Sequence, residues 1–163
     1  MKRQARCWIC GTVFQTERGA LARGARFTCD RCTADGLAAP EPAVLRRILH
    51  ERHGVPFADV RGLSVDEEIL RLVPEAFARH HAVLPLAIRE RSAGTPRKPK
   101  MPGAPVRELV VAMADPGNSF ALETLRRRCA MPIVPTVAPW ADLAEAIADL
   151  YLPIAIAEES VPE

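Results

Sequence analysis

From Pro42 onward the chain alternates between apolar stripes at helical spacing and short β-branched runs. PAVLRRILHERHG (42–54) places Val44, Leu45, Ile48 and Leu49 on one face of a helix, with Pro42 suited to its first turn and Gly54 to its stop. VPFADV (55–60) is expected to be extended, because Pro56 disfavours helix in the residue before it. Ser64 opens SVDE, a capping-box string with Glu67 three residues on, and predicts a short helix through Ile69, Leu70 and Leu72. Pro74 starts a further helix, PEAFARHH.

Two strands follow, AVLPLAIRE (82–90) and the Val-rich RELVVAMAD (107–115). The stretch between them, SAGTPRKPKMPGAP (92–105), is too dense in Pro, Gly and basic residues to build a core and is expected to be a mobile loop across a hairpin. NSFALETLRRRCA (118–130) predicts a helix with Asn118 as N-cap, and MPIVPTVA (131–138) a third strand whose prolines place it at an edge. PWADLAEAIADLY (139–151) predicts the last helix, with Trp140, Leu143, Ile147 and Leu150 on its apolar stripe; residues 152–163 are expected to be a flexible tail. This order predicts an α+β fold, a small three-stranded sheet with packed helices.

Residues 1–36 break that pattern. They hold four of the five cysteines, as Cys7-x-x-Cys10 and Cys29-x-x-Cys32, and LAAPE (37–41) joins them to the periodic region as an expected hinge. The chain therefore divides into an N-terminal zinc ribbon (1–36), the hinge, an α+β domain (42–151) and the tail. Each Cys-x-x-Cys turns two sulfurs toward one centre, and two such turns complete a tetrahedral site. Four thiolates leave no open coordination position, so the expected cofactor is a structural Zn2+ held by Cys7, Cys10, Cys29 and Cys32. Redox-active dithiols and incidental cysteines are the alternatives. Val13 and Phe14, with Phe27 and Thr28, suit two short strands of a ribbon.

Other reactive side chains make weaker sets. Cys129 follows three arginines that could lower a thiol pKa, but it is equally a half-buried cysteine at a helix end. His50 and His53 are spaced to clamp a metal or to sit solvated at a helix end; His80 and His81 also end a helix. No phosphate-binding loop, dinucleotide fingerprint or H-E-x-x-H string is present, so no catalytic residue is assigned and the chain is expected not to be an enzyme.

The formal net charge of +2 is too near neutrality to imply a polyanion partner for the whole molecule. The basic head, with Trp8, Phe14 and Phe27 beside Arg18, Arg23 and Arg26, leaves nucleic acid as a minor alternative that the lack of a reader motif disfavours. No secretory signal and no apolar run long enough to span a bilayer stand in the sequence, which reads as cytoplasmic.

The strings GVPFADV, LRLVPEAFARHHAVLPLAI, ELVVAMADP and LETLRRRCAMPIVPTVAPWADLAEAIADLY resemble, in order, the N-terminal domain of type II secretion and type IV pilus assembly ATPases, the GspE or MshE N-terminal domain. The resemblance covers about residues 42–151 and implies an α+β domain that docks to other proteins; the ATPase itself is absent. Some family members bind cyclic di-GMP through two copies of a helical motif that begins RLGxxL and reaches a Gln. No RLGxxL is present here, and the helix ending in Arg52-His53 lacks the Gln, which disfavours cyclic di-GMP as a ligand. The combined expectation is a non-enzymatic adaptor or regulatory protein that binds a protein partner, a secretion or pilus platform component being one candidate. The alternatives are a cyclic di-GMP-binding module and a nucleic-acid binder acting through the head.

Overall fold

The computed structural model describes residues 3–16, 26–91 and 105–159. Most of the insertion at 92–105 and the arginines Arg18 and Arg23 lie outside the described residues. The N-terminal part is a two-stranded antiparallel ribbon, β1 (Arg3–Arg6) and β2 (Val13–Thr16), followed by the short helix α1 (Asp30–Ala34). Val13 and Phe14 thus pair with Arg6 and Ala5, and Phe27 makes only a lone bridge to Cys7. The second cysteine pair sits at the start of α1, because the Cys29 carbonyl accepts the Thr33 N–H and turns the chain into a helix.

α2 (Pro42–His53) begins and ends as its sequence dictates: Pro42 lies in the first turn, and Gly54 takes the left-handed conformation at φ 66° that closes the last turn. α3 is shorter than the capping-box string predicts, running Glu67–Leu70. The carbonyl of Asp66, not the side chain of Ser64, receives the first helical N–H groups. Glu67 is turned forward to Arg71, 3.0 Å away, and so does not reach back to close the box. α4 (Glu75–His81) leads into β3 (Val83–Arg91), which pairs antiparallel with β4 (Val106–Met113). The register slips between Pro85 and Ala87, a bulge that lets a proline sit in this strand.

α5 (Ser119–Cys129) starts where Asn118 accepts the Ala121 N–H at 3.1 Å, and carries the chain over to β5 (Ile133–Val137). β5 pairs parallel with β4, giving the order β3-β4-β5 with β5 at the edge. That edge is covered at one point: Val137 exchanges backbone hydrogen bonds with Pro56 and Ala58 of the extended segment after α2. β4 is buried along nearly its whole inner length, as a central strand covered by helices should be.

α6 (Trp140–Glu159) supplies Leu143, Ala146, Ile147 and Tyr151 to the main core. Its extent corrects the expectation of a tail from Leu152. Pro153 removes one backbone donor, but Ile154 packs on the core and gives the following turn a reason to persist. Residues 160–163 lie outside the described residues. A second core joins the two halves: Cys7, Trp8, Ile9, Cys29 and Cys32 pack with Leu45 and Leu49 of α2 and with Val137. Leu37, inside the segment expected to be a hinge, is fully buried there. No helix among the described residues is long and apolar enough to cross a membrane.

The Tyr151 hydroxyl is buried and donates to two carbonyls, Val73 at 2.8 Å and Leu70 at 3.1 Å, tying α6 to the end of α3. Tyr151→Phe leaves both carbonyls without that donor and should destabilise the fold by about 1–3 kcal/mol. Urea unfolding checks this, with a lower midpoint and an unchanged m-value expected.

Candidate functional site

The four N-terminal cysteines converge although their pairs are far apart in sequence. Their sulfurs all lie within 4.8 Å of one another, three of the side chains are buried, and all four are free thiols. Cys10 Sγ and Cys29 Sγ are 3.7 Å apart. Metal–sulfur bonds of about 2.3 Å in a tetrahedron require sulfurs about 3.8 Å apart, whereas a disulfide requires about 2 Å. The spacing therefore suits a shared cation and not a bridge.

The surroundings act on the sulfurs in opposite directions, burial raising Cys29 and Cys32 while Cys7 is lowered. Arg52 of α2, its guanidinium mostly buried, donates from Nη1 to Cys32 Sγ at 3.4 Å and pairs with Asp35. Burial pushes the Cys7 thiol up, but backbone N–H groups around it prevail and bring it to about 7. Burial pushes Cys32 well up despite Arg52. Four converging thiolates, three of them buried, cannot coexist without a cation, which is the charge a divalent metal would supply.

The turn between Cys7 and Cys10 also serves the rest of the molecule. The carbonyls of Ile9 and Trp8 accept the N–H groups of Trp140 and Ala141 at 2.8 Å each. The cysteine turn thereby caps α6 from outside, satisfying two donors that a helix start leaves open. Gly11 closes the same turn at φ 77°, against the Trp140 indole. Arg6 stacks on the other part of this contact, 4.9 Å from the Trp140 ring.

Beside the turn runs a cleft between the ribbon and the α+β domain. Trp8 and Arg26 line it on one side, and Pro40, Pro42, Leu45, Arg46, Phe57, Asp59, Arg61 and Asp142 line the remainder. Arg26 lies 4.6 Å over the Trp8 ring and Arg46 5.4 Å over Phe57. The hydrogen bonds from Arg61 hold the Asp59 carboxyl down to about 2. Burial raises Asp142, against the pull of Arg26 at 3.7 Å.

The remaining candidates stay apart. His50 Nδ1 lies 2.8 Å from the Val55 carbonyl. Burial lowers the pKa of His53, and His81 packs on Phe77 with ring centroids 4.5 Å apart. Cys129 is half-buried and its thiol is raised by burial, so its arginine neighbours do not activate it. Trp8 is 8% exposed and covered by Arg26, so it offers no open stacking face to a nucleic acid. Arg46, Phe57 and Arg61 join the site only in space; two arginines and a phenylalanine at scattered positions carry no sequence signal.

A three-stranded mixed sheet with α6 and the α3–α4 pair packed on it defines a small α+β module with no motor fold of its own among the described residues. The chain belongs to the MshEN domain family, which it matches over residues 53–155. It is 31% identical over 113 residues to the type IV pilus assembly ATPase PilB of Myxococcus xanthus (strain DK1622), a match covering 69% of this chain and 17% of PilB. The fold is shared with a solved structure of MshE with cdg, at TM-score 0.52 and 24% identity, over 75% of this chain and 76% of that one. The N-terminal domain of XpsE aligns at TM-score 0.48 and 18% identity, over 74% and 72% of the two chains. These findings overturn the expectation that cyclic di-GMP (cdg) is disfavoured. That expectation equated a missing residue string with a missing site, whereas cationic and aromatic side chains can be assembled from separate segments.

Gly11→Ala tests the cap. An added Cβ would stand 2.6 Å from Trp140 Cδ1, on a backbone conformation that L side chains rarely adopt. A loss of about 1–3 kcal/mol is expected, read by thermal unfolding, together with a shifted tryptophan emission.

Proposed function

We propose that the chain is a non-enzymatic regulatory module that binds cyclic di-GMP, with a zinc ion held by Cys7, Cys10, Cys29 and Cys32 as a structural part. The observation that carries the ligand is membership of the MshEN family, together with a fold shared with MshE, which has been solved with cdg. The proposal concerns the domain and not a motor, since the match to PilB spans 17% of that protein. The role for zinc rests on sulfur spacing and on the closed, four-ligand set. A cytoplasmic location follows from both: cyclic di-GMP is an intracellular ligand class, and reduced paired cysteines suit a reducing compartment. A module of this kind acts by changing what it touches, and Phe120, 68% exposed on α5, offers a protein partner an apolar anchor.

Titration calorimetry of the full chain with cyclic di-GMP should give saturable heat. No heat at high ligand concentration overturns the ligand reading. Independently, metal analysis of protein purified without chelator should find about one zinc per chain. Cys10→Ser should lower both zinc content and thermal stability, since metal binding in such sites supplies on the order of 10 kcal/mol of folding free energy. Full stability without zinc would overturn the structural role.

A further inference from the structure

The cleft beside the cysteine turn carries a more specific assignment, and it rests on the cyclic di-GMP reading above. Its lining is unusual in composition. Three arginines, two aromatic rings, two prolines and two carboxylates converge from four separate segments: the ribbon, α2, the strip after α2, and the start of α6. Arg61 is bonded to Asp59, at 3.0 and 2.8 Å, and the other two arginines are backed by rings. The Arg26 guanidinium carbon lies over the Trp8 ring at 4.6 Å and that of Arg46 over Phe57 at 5.4 Å. A guanidinium backed by a ring is a preorganised plane: its outer face can stack a base while its N–H edge reaches a phosphate. Preorganisation matters here, because an exposed arginine otherwise gives up much rotamer freedom on binding.

The carboxylates separate this cleft from a plain anion site. A bare phosphate site gains little from Asp59 and Asp142, which are paired with Arg61 and, at 3.7 Å, with Arg26 and so offset part of the arginine charge while keeping lone pairs free. A guanine base does gain, because its N1–H and exocyclic amino group are donors that a carboxylate accepts, while its O6 and N7 accept from arginine. Adenine has the opposite polarity at its N1 edge. The lining therefore matches guanine and phosphate together.

We propose that this cleft is where the chain binds a guanine dinucleotide, with Arg46, Phe57 and Arg61 supplied by the α+β domain and Trp8 and Arg26 supplied by the cysteine ribbon. The enclosed space is about 100 Å³, well below the roughly 300–1,000 Å³ of pockets that engulf a ligand. The dinucleotide accordingly lies along the cleft with one base stacked on each arginine–aromatic pair, and is not swallowed by it. Trp8 and Arg26 of the site then belong to the ribbon, so the ribbon is a wall of the binding site as well as a cap for α6.

The test is a calorimetric titration of the full chain with cyclic di-GMP and, separately, cyclic di-AMP. It compares wild type, Arg26→Ala, Arg46→Ala and a control, Arg127→Ala, which removes one positive charge from the exposed surface of α5. Arg26 and Arg46 are exposed, so both variants should fold, and circular dichroism verifies this. The expected result is that each of the two cleft variants weakens cyclic di-GMP binding at least tenfold, that the control does not, and that cyclic di-AMP binds wild type at least tenfold more weakly. Wild-type binding that survives both cleft substitutions overturns the cleft while leaving the cyclic di-GMP reading intact. An equal loss in the control, or equal affinity for the two dinucleotides, overturns it as well. No binding by wild type removes the broader reading and the cleft with it.

Discussion

Two backbone hydrogen bonds organise this molecule: the carbonyls of Trp8 and Ile9 receive the first N–H groups of α6. Those carbonyls point outward only because the Cys7–Cys10 turn is tight, with Gly11 in a left-handed conformation to close it. α6 in turn carries Leu143, Ile147 and Tyr151 into the main core. A turn of a few residues near the N-terminus therefore positions a helix that begins more than a hundred residues later.

The two sulfur pairs are linked to the α+β domain by a second route. Arg52 leaves the apolar face of α2 and spans Cys32 and Asp35, while its Nε is buried with no hydrogen-bond partner. A buried arginine left partly unpaired is costly unless strong negative charge faces it. The sulfur cluster is the only such charge the described surroundings bring within reach apart from Asp35, which explains why an otherwise solvent-facing residue type is drawn inward. Leu37 and Leu49, fully buried in the same small core, leave the ribbon no freedom to swing away from α2.

Much of the α+β domain was legible in the chain because its signals are local. Pro42, Gly54 and Asn118 mark helix ends through their own backbone or side-chain chemistry, and the Val-rich run at 107–113 reads as a covered strand. The spacing of the cysteines was equally local. Failures came where a distant partner decides. Ser64 has the right string for a cap, yet the pairing of Glu67 with Arg71 leaves it unused. The continuation of α6 past Pro153 depends on Ile154 meeting the core, which periodicity alone cannot reveal. The docking of Trp8 and Ile9 on α6 left no trace in the sequence, since backbone carbonyls have no residue type.

The same distinction explains why a missing motif misled the ligand reading. A motif search asks whether one segment carries all the recognition groups at fixed spacing. Recognition of a dinucleotide requires only that planes, cations and carboxylates meet at the right separation, and chain order places no limit on how they arrive. In this fold the edge of β5 is paired with the strip Pro56–Ala58, which brings Phe57, Asp59 and Arg61 beside α2 and its Arg46. The ribbon, held by its cap on α6, then sets Trp8 and Arg26 opposite them. The cysteine ribbon thus supplies residues to a cleft whose other side belongs to the α+β domain. What the ribbon contributes is a wall whose position is fixed by backbone hydrogen bonds and buried sulfur, so a surface substitution there alters chemistry and leaves the scaffold in place.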